Sequence, residues 1–126
     1  MVLLIEEPSA GRDRLVRLLK DCGLEVAVAD DGPRGLEVVR EASPRAEVVI
    51  LDANAPGMSG EAICGQIREL NPSAHVLLAT GYSEKAALSR FADYDITGFL
   101  QKPHRPEILV PELQACFEDI GQAQPA

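Results

Sequence analysis

The residues able to do chemistry in this 126-residue chain fall in four separated places: Glu6-Glu7, Asp52, Thr80 and Lys102, the last followed by Pro103. Three carboxylates brought together repel one another, and such a set either raises a pKa or holds a hard cation through its oxygens. A hydroxyl and a lysine beside them would complete the needs of phosphoryl transfer: a carboxylate nucleophile, a divalent metal, and donors for the equatorial oxygens. Singly, each residue has a plainer reading. Glu6-Glu7 suits a solvated loop, Asp52 a helix cap or turn, Thr80-Gly81 a turn, and a lysine before proline a surface charge. The chemistry therefore depends on whether the fold delivers all four to one edge.

Hydrophobic periodicity says that it does. Val2 to Ile5 reads as a first strand, followed by a helix with Leu15, Leu18, Leu19 and Cys22 on one face and Gly23 as its stop. Glu25 to Ala29 is a second strand, Gly32-Pro33 opens a helix, and Val48 to Leu51 is the continuous apolar run of a buried parallel strand. Ile63, Ile67 and Leu70 mark a third helix ended by Asn71-Pro72, and Val76 to Ala79 a fourth strand. Ala87, Leu88 and Phe91 mark a fourth helix, Gly98 to Gln101 a fifth strand, and Leu109, Leu113, Cys116, Phe117 and Ile120 a fifth helix. Pro111 falls inside that last helix, which is expected to kink or to begin late. Residues 1–120 form one domain and 121–126 a frayed tail. Alternating βα units give a parallel sheet with helices on both faces, whose ligands bind beyond the carboxyl ends of the strands. Each of the four places follows, or closes, a strand.

Composition narrows the class. Twelve Lys and Arg against twenty Asp and Glu leave a formal charge of −8, unfavourable for nucleic acid or anionic lipid. No apolar run approaches the ~20 residues of a membrane span, and no basic segment precedes Glu6 as in a secretory signal. Cys22, Cys64 and Cys116 are odd in number and form no CxxC, so buried reduced thiols of a cytoplasmic protein are expected. His75 and His104 read as strand-edge and loop residues rather than metal ligands. A nucleotide-binding P-loop would require a glycine-rich turn ending in Gly-Lys-Ser or Gly-Lys-Thr after the first strand, where this chain has Glu-Glu-Pro-Ser.

Four segments, Val2 to Ser9, Leu51 to Gly60, Ala79 to Tyr82 and Gly98 to Pro103, resemble in order and spacing the receiver domain of two-component response regulators, over nearly the whole chain. The resemblance implies a doubly wound, flavodoxin-like (βα)5 fold with strand order 2-1-3-4-5 and a phosphoacceptor at Asp52. It implies Mg²⁺ or Mn²⁺ held by Asp52, the acids Glu6 and Glu7, and the backbone carbonyl of Asn54. Lys102 would pair with Asp52 and then with a phosphoryl oxygen, Thr80 would donate to another, and Phe99 would be the switch aromatic. The Lys102-Pro103 bond is expected to be cis by the same likeness. A histidine kinase or histidine phosphotransfer protein would supply the phosphoryl group, and a downstream protein would read the surface from the fourth helix to the fifth. The domain would be a switch with no separate substrate. The stretch from Thr80 through Arg90-Phe91 to Pro103 also resembles receivers at the C-terminus of hybrid sensor histidine kinases, which would place it on the cytoplasmic side of a membrane-bound parent, while a free-standing single-domain regulator fits the sequence equally well. A haloacid-dehalogenase phosphatase would instead show Asp-x-Asp and a cap, against Asp52-Ala53-Asn54 here.

One residue departs from the family pattern. The second acid after the first strand is usually Asp, and here it is Glu7. Its extra methylene moves a carboxylate by about 1.5 Å, a shift that Mg²⁺ with ligands at ~2.0–2.1 Å tolerates only if the loop retreats. The rival reading is thus a pseudo-receiver, a docking module without phosphorylation.

Overall fold

The computed structural model describes residues 1–42, 47–81, 84–102 and 106–123. Strands β1 (Val2–Ile5), β2 (Val26–Ala29), β3 (Val48–Asp52), β4 (His75–Thr80) and β5 (Gly98–Gln101) alternate with helices α1 (Ala10–Asp21), α2 (Gly32–Ala42), α3 (Gly60–Leu70), α4 (Glu84–Arg90) and α5 (Pro106–Ala123). All strand pairs are parallel, as the alternation predicts, and the order is β2-β1-β3-β4-β5, the one the resemblance implies.

Strand pleating divides the core. Leu3, Ile5, Val49, Leu51, Val76 and Leu78 pack on α2, α3 and α4 through residues such as Leu36, Val39, Ile63, Ile67 and Ala87. Val2, Leu4, Val48, Ile50, Leu77 and Ala79 pack on α1 and α5 through Leu15, Leu19, Leu109, Leu113 and Cys116. Burial on both faces is why β1 and β3 read as unbroken apolar runs. Gly35 brings α2 against β1, since a Cβ there would overlap the Ile5 side chain.

Helix ends carry the corrections. α1 starts at Ser9, whose hydroxyl accepts from the Arg12 amide at 3.0 Å, and stops in a Schellman turn: Gly23 N–H donates to Lys20 O and Leu24 N–H to Leu19 O, with Gly23 at φ +82°. That turn swings Cys22 outward, so it is exposed, whereas Cys64 and Cys116 are buried as expected. Phe91 belongs to the core but lies one residue past α4, in the turn that follows. α5 neither begins late nor stops at residue 120. Pro106 occupies its first turn, where no amide partner is needed, and Pro111 lies on an exposed position inside it. The helix continues through Ala123, so residues 121–123 of the expected frayed tail are helical. Tyr82, Pro103, His104, residues 124–126, and the side chains of Leu88 and Ile120 lie outside the described residues, as does the geometry of the Lys102-Pro103 bond.

Candidate functional site

The carboxyl ends of β1, β3, β4 and β5 meet at one edge. Hydrogen bonds between neighbouring ends set the spacing: Glu6 N–H donates to Ala29 O, Ala53 N–H to Ala79 O, and Lys102 N–H to Thr80 O. β3 extends one residue further than its apolar run and carries Asp52 at its tip, only 6% exposed.

Lys102 is the centre of the cluster. Its Nζ donates to Asp52 Oδ2 at 2.7 Å and lies 2.9 Å from Glu6 Oε1. Burial alone would lower the pKa of this ammonium, but its hydrogen bonds and charge interactions with Asp52 and Glu6 outweigh that and hold it above its ordinary value. The other oxygen of Asp52, Oδ1, accepts the Asn54 N–H at 2.9 Å, and the Asp52 carbonyl accepts the Ala55 N–H at 3.0 Å. The Asp52 carboxylate thus has one oxygen on an ammonium and one on a backbone amide.

Glu6 and Glu7, identical in sequence, part company. Glu6 is buried, and its Oε2 has no hydrogen-bond partner among the described residues. Glu7 is exposed. Successive side chains leave an extended backbone on opposite sides, and Pro8 biases Glu7 toward extended backbone, so turning Glu6 inward sends Glu7 out. For this reason no group of three His, Cys, Asp or Glu side chains suited to an ion exists among the described residues. A buried carboxylate oxygen left without a donor is costly unless something else satisfies it. Hard oxygen donors from Glu6 and Asp52, one of them unsatisfied, fit Mg²⁺ or Mn²⁺, which is commonly held by one or two carboxylates and keeps several waters.

Thr80 is 1% exposed at the end of β4, next to this cluster through the Lys102 amide bond. Phe99 is half-buried on β5, paired with Leu78, and packs on the α2–α4 side of the sheet. Leu78 and Thr80 are two residues apart on one strand, so Phe99 and Thr80 share that side. The structure thus gathers Glu6, Asp52 and Lys102, with Thr80 beside them; it places Phe99 diagonally behind Thr80, and leaves Glu7 and Asn54 at the exposed rim.

Two arginines to which the sequence assigned no role in the site clamp the acid-bearing loops. Arg12 Nη1 donates to the Glu6 carbonyl at 3.0 Å and to Asp30 Oδ1 at 2.6 Å. Arg90 donates to Glu61 and to the Ala53 carbonyl. The hydrogen bond from Arg90 holds the Glu61 carboxyl below its usual range against the opposing effect of partial desolvation. Nothing in residue spacing marks either arginine, because half of each contact is a backbone carbonyl. The one available signal is Glu61 itself, an acid in the first turn of α3 behind the Ser59 cap.

Known proteins place this geometry. Solved receiver domains share the fold: one from Clostridium thermocellum superposes with a TM-score of 0.88 at 24% identity, covering 98% of both chains. Chemotaxis protein CheY4 of Vibrio cholerae gives 0.82 at 29% identity over 91% of this chain and 96% of its own. Sensory transduction protein RegX3 of Mycobacterium bovis is 30% identical over 120 residues, 95% of this chain and 52% of that protein. Sensor histidine kinase AruS of Pseudomonas aeruginosa is 29% identical over 129 aligned residues, 99% of this chain and 12% of the kinase. The chain spans about half or less of the length of these two curated relatives. Residues 2–114 match the response regulator receiver domain along nearly the whole described fold, with Asp52, Thr80 and Lys102 inside the matched span, and the chain belongs to that family of two-component signalling domains.

Proposed function

We propose that Asp52 accepts a phosphoryl group from a phosphohistidine on a histidine kinase or phosphotransfer protein, and that the domain acts as a switch rather than as an enzyme with a separate substrate. An Asp52 carboxylate oxygen attacks phosphorus; the new O–P bond forms as the N–P bond to imidazole breaks, and the electron pair leaves with the imidazole nitrogen. The observation that carries this reading is the Asp52 carboxylate seated between the Lys102 ammonium at 2.7 Å and the Asn54 amide at 2.9 Å, beside the unsatisfied Glu6 oxygen. Lys102 offsets charge building on the phosphoryl oxygens, and the Thr80 hydroxyl donates to one of them. When bound, Mg²⁺ or Mn²⁺ supplies charge neutralisation between nucleophile and phosphate; Glu6, Asp52 and the Asn54 carbonyl would hold it, with Glu7 at the rim to add an oxygen.

Phosphate drawing the Thr80 hydroxyl inward opens space on the side of the sheet shared with Phe99, a two-state repacking whose populations follow the differential binding free energy. The surface from α4 to α5 then meets a downstream protein on the cytoplasmic side. AruS, a sensor kinase that contains a matching stretch, supports a hybrid kinase as one parent. No helix among the described residues is long and apolar enough to cross a membrane, and the charge of −8 disfavours direct nucleic-acid contact.

Acetyl phosphate with Mg²⁺ should add one base-labile phosphoryl group, seen by intact mass, and Asp52→Ala should abolish it; modification that persists in Asp52→Ala sinks the assignment. The exposed Glu7 favours one second reading, the pseudo-receiver. No phosphate together with a thermal midpoint unmoved by millimolar Mg²⁺ would select it.

A further inference from the structure

Arg90 is the last residue of α4, and it reaches back to the loop that carries Asp52. Its Nε and Nη2 both approach Glu61 Oε1, at 2.9 and 2.7 Å, and Nη2 donates to the Ala53 carbonyl over a longer 3.4 Å. The guanidinium lies over the Phe91 ring, 4.9 Å from its centroid. Phe91 in turn is buried against Gly60, where a Cβ would come within 3.0 Å of the ring and 3.1 Å of the Ala53 carbonyl oxygen. A bare glycine at the start of α3 therefore lets ring, carbonyl and guanidinium close together.

The Ala53 carbonyl and the Asn54 N–H belong to one planar peptide unit. Its oxygen faces the Arg90 cation, and its hydrogen faces the Asp52 Oδ1 anion at 2.9 Å. A cation at the oxygen draws density from the N–H and strengthens its bond to the carboxylate, as linked hydrogen bonds polarise one another. Planarity also ties the two directions: holding the oxygen aims the N–H. On the preceding peptide, Ala53 N–H is fixed to Ala79 O, so the turn has little other freedom.

We propose that Arg90 is a positioning residue for Asp52, acting through the Ala53–Asn54 peptide, and that it makes the carboxylate orientation and the C-terminal end of α4 sensitive to one another. This rests on Asp52 being the phosphoacceptor. A carboxylate reoriented by phosphorylation loosens or tightens the same peptide and so the grip on α4; a partner holding the end of α4 acts in reverse, because coupling between sites is reciprocal.

The test compares ¹H–¹⁵N spectra and acetyl phosphate labelling of the wild type, Arg90→Gln, Glu61→Gln and Lys85→Gln. Lys85 is exposed on the same helix, and Lys85→Gln removes the same charge from it. Arg90→Gln should move the Asn54 amide proton upfield while the amides of β1 and β3 stay in place, and should slow labelling roughly three- to tenfold, the effect of one weakened hydrogen bond. Glu61→Gln, which frees the guanidinium without removing it, should give a smaller shift of the same sign, and Lys85→Gln none. An Asn54 amide unmoved in Arg90→Gln overturns the proposal, as does equal movement in Lys85→Gln or an unchanged rate in a protein whose wild type is labelled. Failure of the wild type to label brings down the phosphoacceptor reading instead, while the amide comparison still decides the Arg90 contact.

Discussion

Two cations close opposite ends of the sheet, and they are held by different kinds of partner. At the carboxyl ends of the strands Lys102 sits between two carboxylates, Asp52 and Glu6. At the amino ends of β4 and β5, Arg68 from the last turn of α3 donates to the backbone carbonyls of Pro72, Ala74 and Asp95, joining the segments that lead into the two strands; the carboxylate of Asp95 is largely exposed and 3.9 Å away, too far for a hydrogen bond, so the carbonyls are its main partners among the described residues. The planar fork of an arginine matches several fixed acceptors, whereas a lysine is a point charge on a mobile stem. Carbonyls cannot change charge and leave nothing for a ligand to alter. Carboxylates can be neutralised, metallated or esterified, and the Lys102 end still holds an unsatisfied oxygen on Glu6. The Arg68 end is complete and serves stability; the Lys102 end is incomplete, which is what a ligand-responsive site requires.

The largest expected effect separates the two ends by metal. Mg²⁺ at a hundredfold excess over Kd should stabilise the wild type by about 2.7 kcal/mol. Arg68→Ala should show the same Mg²⁺ increment, and Glu6→Gln a smaller one. Thermal unfolding with and without Mg²⁺ checks this, and equal increments in all three would break the comparison.

Next in size is Lys102→Met. Leaving Glu6 and Asp52 without their cation should cost about 2 kcal/mol, less than a fully buried pair because the Lys102 side chain is 31% exposed. Mg²⁺ should restore most of that loss, since a cation returns between the same oxygens. The pH dependence has a fixed sign. Lys102 has a folded-state pKa above its ordinary 10.5, so its contribution is full below 10.5 and is lost as pH rises through the raised value. Urea unfolding above that pH should find the wild type converging on Lys102→Met. Arg68→Ala comes third, at about 1–2 kcal/mol, because the exposed carbonyls of Pro72 and Asp95 recruit water when the guanidinium leaves. Mg²⁺ should not repair it.

How far the sequence foretells these two ends depends on whether the partner of a residue is a side chain or a piece of backbone. β1 and β3 were legible because strands buried on both faces show it in composition, and the motifs around Asp52, Thr80 and Lys102 follow strands that periodicity can place. Glu6 and Glu7 were not separable, since only the pleat decides which of two equal side chains turns inward. Cys22 keeps helical spacing with Leu15 but sits in the Gly23 turn, where the chain leaves that face. Phe91 extends the apolar pattern past the last residue of α4. Arg12, Arg68 and Arg90 look like scattered surface charges in a sequence, because the carbonyls they hold have no letter of their own.

Arg90 lies between the two extremes, with one carboxylate and one carbonyl, and yields the smallest and most discriminating prediction. Glu61 has a folded-state pKa below its ordinary 4.5, chiefly through the Arg90 hydrogen bond, so its contribution is present above 4.5 and lost as pH falls through the lowered value. Both side chains are about a third exposed, which limits the pair to a few tenths of a kcal/mol, with the first-turn position of Glu61 on α3 adding a similar amount. A double-mutant cycle of Glu61→Gln and Arg90→Gln, read by urea unfolding at neutral pH and again below the lowered pKa, separates the pair from the helix dipole. Coupling should be measurable at neutral pH and vanish in acid. If it survives protonation of Glu61, the contact is held by hydrogen-bond geometry as at Arg68; if none exists at neutral pH, the Ala53 carbonyl and the Phe91 ring alone anchor the guanidinium. Either result would move Arg90 to the static side of the comparison and weaken any claim that the end of α4 responds to charge.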